Sequence, residues 1–234
     1  MPPTPPLKHA KRLAKYAMKQ LPVWRTQVRA SAEFFGSDYG GWAVIPELIK
    51  SDSVIWSFGI GHDASFDLAM IERFGVTVHG FDPTPGLAEW IAAQNFDNRF
   101  VFHDVGLADF DGSVEIRSQS TSEQTSGTIL GRDELKIDTS GEQIQVKRLS
   151  TLMEELNTSK IDLLKMDIEG AEFGVIDDLL ASSVRPTQLL VEFHRYFVSG
   201  AERERKAFAA LARAGYRLFD ISPREMEFGF VWRG

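Results

Sequence analysis

Cysteine is absent from the 234 residues. That excludes a disulfide framework, a thiolate nucleophile and a thiolate-held zinc or iron–sulfur centre. No apolar run approaches the roughly 20 residues that span a bilayer. The opening MPPTPPLKHAKRLAKYA lacks the apolar core of a secretory signal. The expectation is a cytoplasmic protein without a transmembrane segment. Acid is missing from the first 32 residues, which hold seven Lys or Arg before the first acid, Glu33. The rest of the chain then carries 19 basic and 33 acidic side chains, a balance of −14 against −7 for the whole. A body this acidic argues against general nucleic-acid binding, which needs a basic footprint. Apolar residues at 43% and charged residues at 25% are ordinary globular values and exclude wholesale disorder.

The basic segment has the spacing of an amphipathic helix. Leu7, Ala10, Leu13, Ala14, Ala17, Met18 and Leu21 recur at three and four residues, with Lys8, Lys11, Arg12, Lys15 and Lys19 between them, and Pro22 ends it. Three readings stand: a helix packed on the acidic body, a contact surface for a partner, second copy or anionic membrane, and a targeting segment. Residues 1–35 are accordingly set apart as an extension from a domain over 36–234.

From residue 53 onward, short apolar runs alternate with helical patterns. Strands are expected at 54–58, 76–81, 100–103, 161–168, 188–193, 216–221 and 228–232. Helices are expected at 64–74, 85–95, 151–156 with Ser150 as cap, 171–180 and 202–214. Two further strands at 114–118 and 143–149 flank a Ser, Thr, Gln and Gly stretch that has the composition of a long loop or lid. In the second of these, Ile144, Val146 and Leu149 are expected to share a face. Strand–helix alternation builds a mostly parallel sheet covered by helices on both faces. The turn at 222–227 is too short for a crossover, so the last two strands pair antiparallel.

Two features point to chemistry. Ser57-Phe-Gly-Ile-Gly-His-Asp-Ala64 follows a strand and opens a helix, and Asp82 closes the next strand. Glycines in such a turn let backbone approach a ligand, and an acid in that place accepts hydrogen bonds from ribose hydroxyls. The signal denotes a nucleoside-containing cofactor without choosing among them, since Gly59-x-Gly61-x-x-Ala64 also satisfies the dinucleotide fingerprint. The second feature is charge in strands that ought to be apolar: Lys165, Asp167 and Glu169 in one, Glu192 and His194 in the next. Buried unpaired charge costs several kcal/mol, but less at the carboxyl ends of the strands, where ligands bind in open α/β sheets. Bland readings exist beside this one: Glu172 as a helix-start residue, Asp167 as the buried partner of Lys165, and His194 as a structural histidine. Trp90 and Phe96 read as core, and His62, His79 and His103 have no metal-ligand spacing.

Ser57-Phe-Gly-Ile-Gly-His-Asp-Ala-Ser-Phe-Asp67, Phe81-Asp-Pro83, Ile161-Asp-Leu-Leu-Lys-Met-Asp-Ile-Glu-Gly-Ala-Glu172 and Leu190-Val-Glu-Phe-His194 together resemble the FkbM-type methyltransferases. The resemblance spans roughly residues 36–234. It implies a Rossmann-like α/β fold with a seven-stranded sheet of order 3-2-1-4-5-7-6, the last strand antiparallel. It also implies S-adenosylmethionine as cofactor and a hydroxyl on a small molecule or sugar as acceptor. By that resemblance Phe58, Gly59, Ile60 and Gly61 lie against the methionine part, Asp82 and Pro83 at the ribose, and Asp104 and Val105 beside the adenine. Tyr39-Gly-Gly-Trp42 closes over the cofactor. The commoner family turn, Asp-Val-Gly-Ala-Asn-x-Gly, is altered: Ser57 replaces its first acid and Asp63 its last glycine, so Asp63 is expected to supply the missing carboxylate. His194 and Glu169 are the expected general bases, with Asp167 and Glu192 orienting acceptor or base. No metal ligand is assigned, although oxygen ligands from Asp167, Glu169 and Glu192 suit Mg²⁺. Competing readings are a nicotinamide-dependent oxidoreductase and a catalytically silent member that binds a partner through the basic helix.

Overall fold

The computed structural model describes residues 24–118, 127–128, 142–194 and 201–234. The expected basic helix at 7–21 and almost all of the expected 118–142 loop lie outside the described residues.

Seven strands form one sheet: β1 (Ile55–Phe58), β2 (Val78–Phe81), β3 (Phe100–His103), β4 (Leu163–Met166), β5 (Gln188–Glu192), β6 (Tyr216–Ile221) and β7 (Glu227–Trp232). Their order is β3-β2-β1-β4-β5-β7-β6. The first five are mutually parallel, while β7 runs antiparallel to both β5 and β6. Helices α1 (Ser65–Phe74), α2 (Leu87–Ala93), α3 (Leu149–Glu155), α4 (Glu172–Ala181) and α5 (Ala201–Arg213) complete the alternation.

Strand alternation divides the core in two. Ile55, Val78, Leu163, Leu190 and Val231 turn to one face, where Met70, Ile71, Leu87 and Ile91 of α1 and α2 cover them. Trp56, Phe58, Leu164, Met166, Leu189 and Val191 turn to the other, against Leu152, Phe173, Ile176, Phe208 and Leu211 of α3, α4 and α5. Both faces are thus dry, and only the strand ends are left for polar chemistry. Residues ahead of the expected domain start also touch the body. Trp24 stacks on Phe208 at 3.8 Å and donates to Glu204 at 2.5 Å, and the Gln27 N–H donates to the Leu218 carbonyl. Glu33–Phe35 pairs antiparallel with Trp42–Val44.

Several boundaries move for identifiable reasons. The α2 helix starts at Leu87 rather than 85, because Gly86 stands at its N-cap in the left-handed region at φ 81°. The α3 helix begins at Leu149, so Leu149 belongs to the helix and Ser150 is not its cap. Arg148 occupies the cap position without a side-chain cap, and Asp111 braces the helix start by accepting from the Arg148 N–H and the Thr151 hydroxyl, each at 2.8 Å. Ile144 and Val146 do share a buried face of the 142–147 strand. The fourth strand stops at Met166, and Glu169 turns left-handed at φ 49°. Asp167 and Glu169 therefore leave the strand alternation and bend out over its end.

On the β2–β3 edge, His79 Nδ1 lies 2.9 Å from His103 Nε2, with the His103 ring stacked on Phe81. Burial lowers both pKa values, and the His79 charge helps bring His103 down to about 4. The folded protein therefore binds these protons later than the unfolded chain, and stability present above pH 6.5 is lost as pH falls toward 4. Thermal unfolding of His103→Gln should consequently show a shallower acid-side loss than the parent between those pH values. Parallel loss in the two proteins would contradict this account.

Candidate active site

Five elements end at one edge of the sheet and enclose a cleft of about 590 Å³. Its floor is the bend after β1. There the Gly59 N–H donates to the Phe81 carbonyl at 2.9 Å, and Gly59 takes φ 78°. A Cβ on Gly59 would stand 1.7 Å from the Asp167 carbonyl oxygen, so no other residue fits. Beneath the bend, Lys165 is buried and donates to the carbonyls of Phe58 at 3.2 Å and Gly59 at 2.6 Å, while lying 5.7 Å from the Trp42 ring centroid. The alternative reading of Asp167 as the buried partner of Lys165 gives way here: the lysine's hydrogen bonds go to backbone, which fixes the shape of the bend. Asp67 of α1 is fully buried, and desolvation pushes it up to about 6 against the pull of Lys165.

Asp82 lies at the end of β2 and ties the bend to its neighbour. One carboxylate oxygen accepts the Gly61 N–H at 2.8 Å and the other the Thr84 N–H at 2.9 Å. Asp63 serves the opposite wall. The Ser37 hydroxyl donates to it at 2.5 Å and the Ser65 N–H at 3.0 Å, and these bonds hold its pKa below the usual value despite partial burial. Ser37 also accepts from the Gly40 N–H at 2.9 Å. Asp63 thereby pins the Tyr39–Trp42 turn over the glycine bend, and that turn lines the cleft.

At the far end the acidic and imidazole groups of β4 and β5 converge. His194 is buried. Its Nδ1 meets Glu172 Oε1 at 2.6 Å, and its Nε2 faces Glu169 at 3.3 Å, Asp167 at 3.6 Å and Glu192 at 3.8 Å. Burial disfavours the imidazolium, but the bond to Glu172 and the surrounding carboxylates outweigh it and push His194 up to about 9. Desolvation pushes Glu169 up to about 7 and Glu192 up to about 8, with the Asp167 charge adding to both. Asp167 is also raised by burial, against the pull of Lys165 and His194.

Phe58, Gly59, Ile60, Gly61, Asp63, Asp82, Pro83, Asp167, Glu169, Glu192 and His194 all line this one cleft. Asp104 and Val105 do not. The Val105 N–H donates back to the His103 carbonyl at 3.0 Å, a tight turn that sends Val105 into the core and leaves Asp104 exposed. Gly106 and Leu107 take up that part of the wall. Charged contributors also escaped the sequence reading, among them Glu172, Arg224 and Glu227. Glu172 opens α4 as expected of a helix-start acid, yet it also holds His194. Arg224 and Glu227, an ion pair on the β6–β7 turn, reach the cleft because β7 lies beside β5. Only the strand order makes those last two visible.

A family model described as the methyltransferase FkbM domain matches residues 52–218, well over half of the chain. The chain belongs to the FkbM methyltransferase family. S-adenosylmethionine is the cofactor this membership brings. Two curated relatives, each named probable methyltransferase-like protein 24, are similar. The one from Rattus norvegicus is 26% identical over 176 residues, 70% of this chain and 42% of its own length. The one from Homo sapiens is 25% identical over 155 residues, 63% of this chain and 35% of its own. The chain thus spans well under half the length of these relatives. Among solved structures, M. jannaschii TYW2 in complex with AdoMet is 10% identical and covers 90% of this chain and 87% of its own, with a TM-score of 0.31, a likeness too loose to carry weight.

The glycine bend of this FkbM domain makes a sharp comparison. Gly59→Ala drives a methyl group into the Asp167 carbonyl and should cost several kcal/mol. Gly61 also has a positive φ, 54°, but its Cβ would meet open space, so Gly61→Ala should cost only about 1–2 kcal/mol of backbone strain. Denaturant unfolding reads both, and equal losses would contradict the close approach.

Proposed function

We propose that this chain is an O-methyltransferase acting on a hydroxyl of a small molecule or sugar. The observation that carries the reading is a single cleft with a glycine bend and ribose-type acid at one end and a proton-accepting cluster at the other. The residues present suit the cofactor. Phe58 to Gly61 would hold its methionine part, with Asp63 offering a carboxylate to the amine. Asp82 would hold the ribose, since each of its oxygens keeps a lone pair beyond its bond to Gly61 or Thr84. Pro83, Gly106 and Leu107 would flank the base.

When bound between these residues, S-adenosylmethionine would supply an electrophilic methyl carbon to the acceptor oxygen, with its sulfur as the leaving atom that keeps the electron pair. The protein's share is to hold the acceptor in line and remove its proton. Glu169 exposes 24% of its side chain against 8% for His194, so Glu169 is the better placed proton acceptor. His194, braced by Glu172, orients Glu169 together with Asp167 and Glu192. Carboxylates near the sulfonium strengthen binding more than rate, because that positive charge fades in the transition state.

Glu169→Gln and His194→Ala should each lower turnover at least about tenfold on an accepted hydroxylated substrate. Calorimetry should show S-adenosylhomocysteine still bound by both variants and NAD bound by neither. Unchanged turnover in both variants removes them from the chemistry, and NAD binding in place of S-adenosylhomocysteine contradicts the proposal.

A further inference from the structure

Among the described residues, Asp167, Glu192 and His194 present one oxygen, one oxygen and one nitrogen, all within 4.8 Å of one another. We propose that these three side chains form a divalent-cation site at the acceptor end of the cleft, an inference that rests on the methyltransferase reading for its role. Sequence spacing suggested Asp167, Glu169 and Glu192 as an oxygen set; the folded geometry exchanges Glu169 for the imidazole.

Two observations carry the assignment. The first is the spacing around His194 Nε2. Three carboxylate oxygens ring it at 3.3, 3.6 and 3.8 Å. All three exceed the 2.7–3.2 Å of an ordinary N–H···O bond. Ligands about 2.1 Å from one ion stand about 3 Å apart when adjacent and about 4.2 Å when opposite. The distances from Nε2 to Asp167 and Glu192 fall between these values. Small rotations of the side chains would bring all three onto one ion.

The second observation lies outside the ligand set. Glu172 is wholly buried behind the ring and takes Nδ1 at 2.6 Å, while the Gly170 N–H donates to the same Glu172 oxygen at 3.0 Å. The other Glu172 oxygen is buried without a hydrogen-bond partner among the described residues. A carboxylate anchored in this way holds the proton on Nδ1, so that a cation arriving at the ring would displace the proton of Nε2, as behind metal-bound histidines.

One imidazole and two carboxylates suit a cation that accepts both oxygen and nitrogen, and Mn²⁺ is the informative probe. Bound there, the ion would polarise the acceptor hydroxyl and ease transfer of its proton to Glu169, which stays outside the ligand set.

The test uses the full chain freed of metal by a chelator. Titration with Mn²⁺, followed by loss of the free-ion paramagnetic resonance signal, should show one saturable site. Asp167→Asn and Glu192→Gln should each weaken it at least about tenfold, and Glu172→Gln should weaken it through the ring. Asp82→Asn, at the other end of the cleft, should leave it unchanged. Circular dichroism verifies that each variant is folded, and S-adenosylhomocysteine binding verifies the same for the Asp167, Glu192 and Glu172 variants. Absence of saturable Mn²⁺ binding in the folded parent overturns the site, as does undiminished binding in both Asp167→Asn and Glu192→Gln. Methyl transfer at full rate in excess chelator overturns the ion's role while leaving the methyltransferase reading intact. Failure to bind S-adenosylhomocysteine would sink that reading, and the resonance titration reports on the ion independently of it.

Discussion

Backbone-to-backbone contact between the Gly59 bend and the Asp167 turn sets where every group in the cleft stands. Strands β1 and β4 are neighbours in register, with Phe58 opposite Met166. Each chain must leave the sheet one residue later, and both leave toward the same space. They pass only because Gly59 has no side chain, and Lys165 holds the bend from below by two carbonyls. The ammonium makes its hydrogen bonds to backbone, so Asp167 turns into the cleft rather than pairing directly with Lys165 inside the sheet. Glycine bend and acidic cluster are thus two sides of one close contact.

The same geometry explains how the fold tolerates so much buried charge. Four carboxylates surround His194, one behind the ring and three before it. A single imidazole balances one of them. Desolvation and mutual repulsion keep protons on part of the rest, with Glu169 pushed up to about 7 and Glu192 up to about 8, and what negative charge remains faces the cleft. Such unbalanced polar clusters are costly in a folding sense and arise where function demands them.

Much of the frame could be read from the chain itself. Alternating apolar runs located the seven strands, and Ser57–Ala64 with Asp82 located the glycine bend and the acid at one end of the cleft. What escaped were contacts between residues far apart in sequence. The carboxylate that braces the start of α3 comes from Asp111, 37 residues before Arg148, and no local signal replaces Ser150 as the cap. Period-two spacing in Lys165, Asp167 and Glu169 suggested one shared face, but the left-handed turn at Glu169 ends that alternation. Asp104 and Val105 missed the wall because a tight turn after His103 rotates them away. Arg224 and Glu227 carry no local signal at all; they enter the site only because β7 inserts between β5 and β6.

A crystal structure of the chain with S-adenosylhomocysteine tests the central claim most directly. The account predicts the sulfur above the Phe58–Gly61 backbone, with Glu169 and His194 facing it across the space a methyl group and an acceptor oxygen would fill. A sulfur found on the other side of the bend, with those two side chains turned away from it, would contradict the account.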